Sequence, residues 1–105
     1  MNNVDNLDSA GIEAIVIDAI RLTNLARLPD QRLEESSTAL LYAPQSPLDS
    51  LGLVALLIEV EEGLAEAGHP VTLSSERAMS QRQNPFRDVP SLVGYISSLL
   101  QANAP

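Results

Sequence analysis

Ser50-Leu51-Gly52-Leu53-Val54-Ala55-Leu56-Leu57-Ile58-Glu59-Val60-Glu61-Glu62-Gly63-Leu64-Ala65-Glu66-Ala67 is the stretch from which the fold is read. Wound at about 100° per residue, it puts Leu53, Leu56, Leu57, Val60 and Leu64 on one broad stripe, as expected of a helix packed on a core. Asp49 and Ser50 offer capping oxygens before it, Gly68 can close its carboxyl end, and Pro70 forbids continuation. The same wheel gathers Leu51, Val54 and Ile58 on a second apolar strip, which leaves only a narrow polar arc bearing Glu59, Glu62 and Glu66. Either neighbouring helices cover this strip or it is kept free for a partner. A single-core chain can rarely surround a helix completely, so we read the strip as a docking surface, with Glu61 beside it and Glu62 at its other flank.

Working outward, Ile12, Ile15, Val16, Ala19, Leu22 and Ala26 recur at helical spacing, opposite Glu13, Asp18, Arg21 and Asn24. The pattern predicts an amphipathic helix near residues 9–27, capped by Asp8 or Ser9 and ended by Pro29. Val89, Leu92, Val93, Ile96, Leu99 and Leu100 predict a last helix near 89–101, with Asp88 as cap and Pro90 tolerated in the first turn. From Leu28 to Asp49 the helical period lapses among Pro29, Ser36, Ser37, Pro44, Ser46 and Pro47. We read a long first loop there, anchored by Leu40, Leu41 and Tyr42, with a short helix across Leu33–Leu41 as the alternative. After the strongest helix, Val71-Thr72-Leu73 is extended, Ser74 or Ser75 can cap a short helix through Met79, and Asn84-Pro85 makes a turn. The sum is an all-α fold: a small bundle of three main helices and a short additional one, third in chain order.

Composition agrees. With 105 residues one domain is expected, frayed at 1–8 and 102–105. Apolar residues make up 45% of the chain and only three residues are aromatic, which favours a helical core of Leu, Ile, Val and Ala. The net charge is −8, with no lysine and six scattered arginines, so nucleic acid is an improbable partner and basic protein patches suit better. No cysteine means no disulfide, no thiolate nucleophile and no Cys-ligated metal. No apolar run approaches the roughly 18 residues of a membrane span, and Met1 to Asp8 does not read as a secretory signal. The expectation is a cytoplasmic monomer without membrane insertion.

The context of Ser50 is more telling than the serine itself, which on its own reads as an ordinary helix cap. Pro47-Leu48-Asp49-Ser50-Leu51-Gly52-Leu53-Val54, continued through Leu57 to Val60-Glu61-Glu62, resembles the modification motif of acyl carrier proteins. In that family an Asp-Ser-Leu or Asp-Ser-Met triplet opens the second helix, and the serine carries 4′-phosphopantetheine as a phosphodiester. The similarity covers most of the chain, through the succession of first helix, loop, Ser-led helix, short segment and final helix with Tyr95-Ile96. It implies that Ser50 is the attachment point, that Asp49 orients it or assists the transferase, and that Leu51, Val54, Ile58, Glu61 and Glu62 meet partners. Those partners are a phosphopantetheinyl transferase and acyl-loading, ketosynthase or acyltransferase enzymes. The cargo is fatty acyl, polyketide or, alternatively, aminoacyl or peptidyl. Two positions that are acidic in many fatty-acid carriers are Gly52 and Ala55 here, which leans toward a stand-alone carrier of a specialised pathway. The segment Glu76–Arg87 is also longer than in housekeeping carriers and looks like that of specialised ones, with an inserted turn of no pathway meaning as the alternative.

No catalytic set is legible, so the chain reads as a non-enzyme. Its one histidine, His69, lies beyond the far end of the Ser50 helix, roughly 25 Å away along about 17 residues, and a Ser-His pair needs hydrogen-bond reach. The glutamates at 59, 61, 62 and 66 have helical spacing without a histidine among them and read as solvated, so no metal is expected. A different class of function, a helical interaction domain in which Ser50 is only a cap, remains the rival.

Overall fold

The computed structural model describes residues 7–73 and 84–102. Among the described residues there are three α-helices: α1 (Ser9–Asn24), α2 (Ser50–Glu66) and α3 (Val89–Ala102). No strand occurs among the described residues, and α1 packs against both of the other helices. The expected short helix through Met79 lies outside the described residues.

Each helix is delimited by local chemistry. Asp8 accepts from the Gly11 backbone N–H at 2.9 Å to cap α1, and Asp88 does the same for Ser91 at 2.9 Å before α3. At the end of α2, His69 N–H donates to Leu64 and Gly68 N–H to Ala65, the paired bonds of a Schellman closure. That closure needs a left-handed residue, and Gly68 has φ of +90°. Beyond Asn24 the chain tightens into three-residue bonds as far as Arg27, so α1 stops a turn short of the 9–27 expected.

The core stripe of α2 is Leu53, Leu56, Leu57, Val60 and Leu64, all fully buried and the same five that periodicity selects. Truncating such a side chain costs about 2–5 kcal/mol. The stripe of α1 differs from expectation. Ile12, Val16, Ala19 and Ile20 are buried and Ile15 half-buried, whereas Leu22 and Ala26 are exposed. Asn24, expected on the polar side, is only 4% exposed.

The reason is a hydrogen-bonding clasp. Asn24 Nδ2 donates to the Leu33 carbonyl and Asn24 Oδ1 accepts from the Leu33 N–H, both at 2.9 Å, and Nδ2 also meets Glu35 Oε2 at 3.1 Å. The side-chain amide thus stands in for a strand partner of Leu33 and is fully satisfied while buried. This turns the helix so that position 24 faces inward.

Between α1 and α2 the only helical element is a 3-10 turn at Pro29–Gln31, and no helix forms across Leu33–Leu41. Leu33, Ala39, Leu41 and Leu48 from this connection enter the core. Of the three expected anchors, Leu41 is buried and Tyr42 half-buried. Leu40 stays exposed, its backbone bridging Asp88. The bridge is held by Leu41 N–H to Arg87 at 2.7 Å and Val89 N–H to Ala39 at 2.9 Å. In α3, Val89, Leu92 and Ile96 are buried, and Phe86 meets the Tyr95 ring edge to face at 6.0 Å.

Candidate functional site

The amino-terminal end of α2 is built by three residues outside it. Asp49 adopts an extended backbone and its carboxylate accepts from Gly52 N–H at 2.7 Å, which makes it the cap. Arg27, in the turn after α1, donates through Nε to the Gln31 carbonyl at 2.6 Å and through Nη2 to the Pro47 carbonyl at 3.2 Å. One guanidinium therefore ties the end of α1 to the chain just before Asp49. Leu48 completes the set by burying its side chain in the core.

Ser50 occupies the first helical position and is exposed. Its hydroxyl is not consumed by capping. Instead, Oγ lies 2.9 Å from the phenolic oxygen of Tyr42, and either atom can donate. Helix geometry leaves the amides of Ser50 and Leu51 without an intrahelical acceptor, so the positive end of the helix lies at this hydroxyl. An anionic group esterified there fits its surroundings: the acceptor oxygen is reachable from solvent, and the charge meets unpaired amides.

Tyr42 is the site residue that sequence reasoning placed only as a core anchor. It lies eight positions from Ser50 in an aperiodic segment, where no spacing rule brings two hydroxyls together. Tyr42 also borders an open cavity of about 380 Å³ with Ala43, Pro44 and Asn84.

Along α2, Leu51 is 80% exposed and Ile58 44% exposed, with Val54 half-buried between them. The second apolar strip of the helix wheel is therefore left largely uncovered by the described residues. Glu61 and Glu62 flank it differently. Glu61 accepts from the Leu73 N–H and so ties the 71–73 segment to α2. Glu62 is exposed and lines a groove between α1 and α2 with Asp18, Glu59 and Glu66, over Ile15 and Leu22.

Gly52 has a steric reason. A Cβ there would stand 2.8 Å from Leu48 Cδ1, 3.1 Å from Asp49 Oδ1 and 3.2 Å from Arg27 Nη1. A side chain at this position would have to displace the Leu48 methyl and crowd the cap and the guanidinium. His69 follows the carboxyl end of α2, opposite Ser50, and the two do not meet. Among the described residues no helix is long and apolar enough to cross a membrane. Comparison with family models, with curated proteins and with solved structures returns no match to this chain.

Proposed function

We propose that this chain is an acyl carrier protein, in which Ser50 takes a 4′-phosphopantetheine arm for a biosynthetic pathway. The observation that carries the reading is the Ser50 hydroxyl: exposed at the first position of α2, spared from capping by Asp49, and beside an exposed apolar strip. The order of elements adds support, with a first helix, a long connection, a Ser-led helix and a final helix resembling the family arrangement.

In the transfer, Ser50 Oγ loses its proton to the transferase and forms a bond to the phosphorus of the pantetheine-bearing phosphate of coenzyme A. The pyrophosphate linkage breaks and adenosine 3′,5′-bisphosphate leaves. When bound, the arm supplies a terminal thiol that holds an acyl group as a thioester. Asp49 and Arg27 keep the helix end in one place, so the tethered group starts from a fixed root and its effective concentration at docked partners is high. Leu51, Val54 and Ile58 provide apolar contact for the transferase and for loading, ketosynthase or acyltransferase partners, while Glu62 and the neighbouring acids favour basic rims on those enzymes. The chain does no chemistry on its cargo. We propose that it acts in the cytoplasm as a monomer.

Intact mass after incubation of the full chain with a broad-specificity phosphopantetheinyl transferase, coenzyme A and magnesium tests the reading. One phosphopantetheine adduct on the wild type and none on Ser50→Ala is the expected result. A cooperatively folded wild type that takes no adduct overturns it in favour of an unmodified interaction domain.

A further inference from the structure

Tyr42 is held by its backbone and reaches Ser50 with its side chain. Its N–H donates to the Phe86 carbonyl at 2.8 Å and its carbonyl accepts from Asn84 Nδ2 at 2.8 Å. Asn84 is itself fixed, its Oδ1 accepting from Phe86 N–H at 3.0 Å, and the preceding Leu41 is fully buried. The phenol is thus presented to Ser50 from an anchored stretch rather than from a free loop.

Between two hydroxyls the bond has no fixed direction. Esterification changes that. Ser50 Oγ loses its proton and becomes an acceptor only, and the phosphodiester oxygens attached to it also only accept. Tyr42 is then the sole member of the pair able to donate, and its acceptor carries charge. Such a bond is shorter and about twice as strong as one between neutral groups.

Resting on the carrier reading, we infer that Tyr42 is a positioning residue for the modified serine, its phenol donating to the phosphodiester and restraining the root of the arm.

The full chain, loaded by the transferase with coenzyme A, is compared as wild type, Tyr42→Phe and Tyr95→Phe by intact mass, thermal melting and phosphorus NMR. All three are expected to melt together, and the loaded species of each is compared. The phosphodiester resonance is expected to move in Tyr42→Phe and to stay in place in Tyr95→Phe. Identical resonances in wild type and Tyr42→Phe, with both loaded, overturn the role of Tyr42 and leave the carrier reading standing. A folded wild type that accepts no arm overturns both. If Tyr42→Phe does not fold, or folds but takes no arm, the wild type with carbon-labelled tyrosine rings decides. Loading must then shift the Tyr42 ring signals and leave those of Tyr95, and unshifted Tyr42 signals overturn the inference.

Discussion

The Asp49 carboxylate accepts the Gly52 N–H at 2.7 Å, so Asp49 and not Ser50 caps the helix that begins with the serine. On the proposed carrier reading, structural and chemical duties would fall on adjacent residues. Asp49→Ala is expected to cost about 0.5–2 kcal/mol, the usual worth of a lost cap. Ser50→Ala is expected to stay within about 0.5 kcal/mol of wild type while abolishing modification. Urea titration of both variants checks the pair, and equal losses would mean that the serine shares the cap.

Asn24→Ala is expected to cost about 2–6 kcal/mol, because the buried Leu33 N–H and carbonyl each lose a partner at about 1–3 kcal/mol apiece. A loss under about 1 kcal/mol in a urea melt would show that water replaces the amide there.

A glycine inside a helix normally gives way to alanine with a gain of about 1 kcal/mol. At Gly63 no such gain is expected, since a Cβ would lie 2.8 Å from Ile15 Cγ2 where α1 and α2 approach. Cutting Ile15 back to alanine removes the obstacle. Gly63→Ala is therefore expected to be more favourable in an Ile15→Ala background than in wild type, a sign that a double-mutant cycle reads directly.

Leu51→Glu and Ile58→Glu are expected to change stability by no more than about 0.5–1 kcal/mol, because both side chains are exposed. Their effect is expected in the kcat/KM of arm transfer and in partner turnover. Val54→Glu, at a half-buried position, should lose more stability than either. Global unfolding of Ile58→Glu would place that residue in the core and remove the docking strip.

At Asp88, burial pushes the carboxyl upward, but bonds from the Ser91 hydroxyl and backbone and from Arg87 outweigh it and hold the group below its usual 3.8. A value depressed by folding stabilises the folded chain above about pH 3.8, and that stabilisation disappears as pH falls through the lower folded value. Asp88→Asn keeps a capping oxygen but carries no charge. Its deficit relative to wild type is expected to be largest at neutral pH and to shrink below 3.8, measured as urea midpoints across the acid range.

What could be read in advance divides along periodicity. The α2 core stripe and its Gly68 closure were legible because five apolar positions and two terminators repeat a helix pattern without competition. The face of α1 was misjudged at both ends of its polarity. Leu22 is apolar yet exposed, and Asn24 is polar yet buried because Leu33, nine residues on, supplies its partners. No wheel records a side chain satisfied by a distant backbone. The place of Ser50 at the start of α2 was legible from the helix pattern, whereas the Tyr42 contact depends on an aperiodic connection whose path is set by backbone bonds to Phe86 and Arg87.

Those backbone bonds also govern when the chain opens. The amides of Leu41, Tyr42 and Val89 join stretches far apart along the polypeptide, so none of them can reach solvent by the fraying of a neighbouring turn. Their deuterium uptake is therefore expected to follow that of the helix interiors, and faster exchange at these three amides would show that the 39–42 stretch opens on its own.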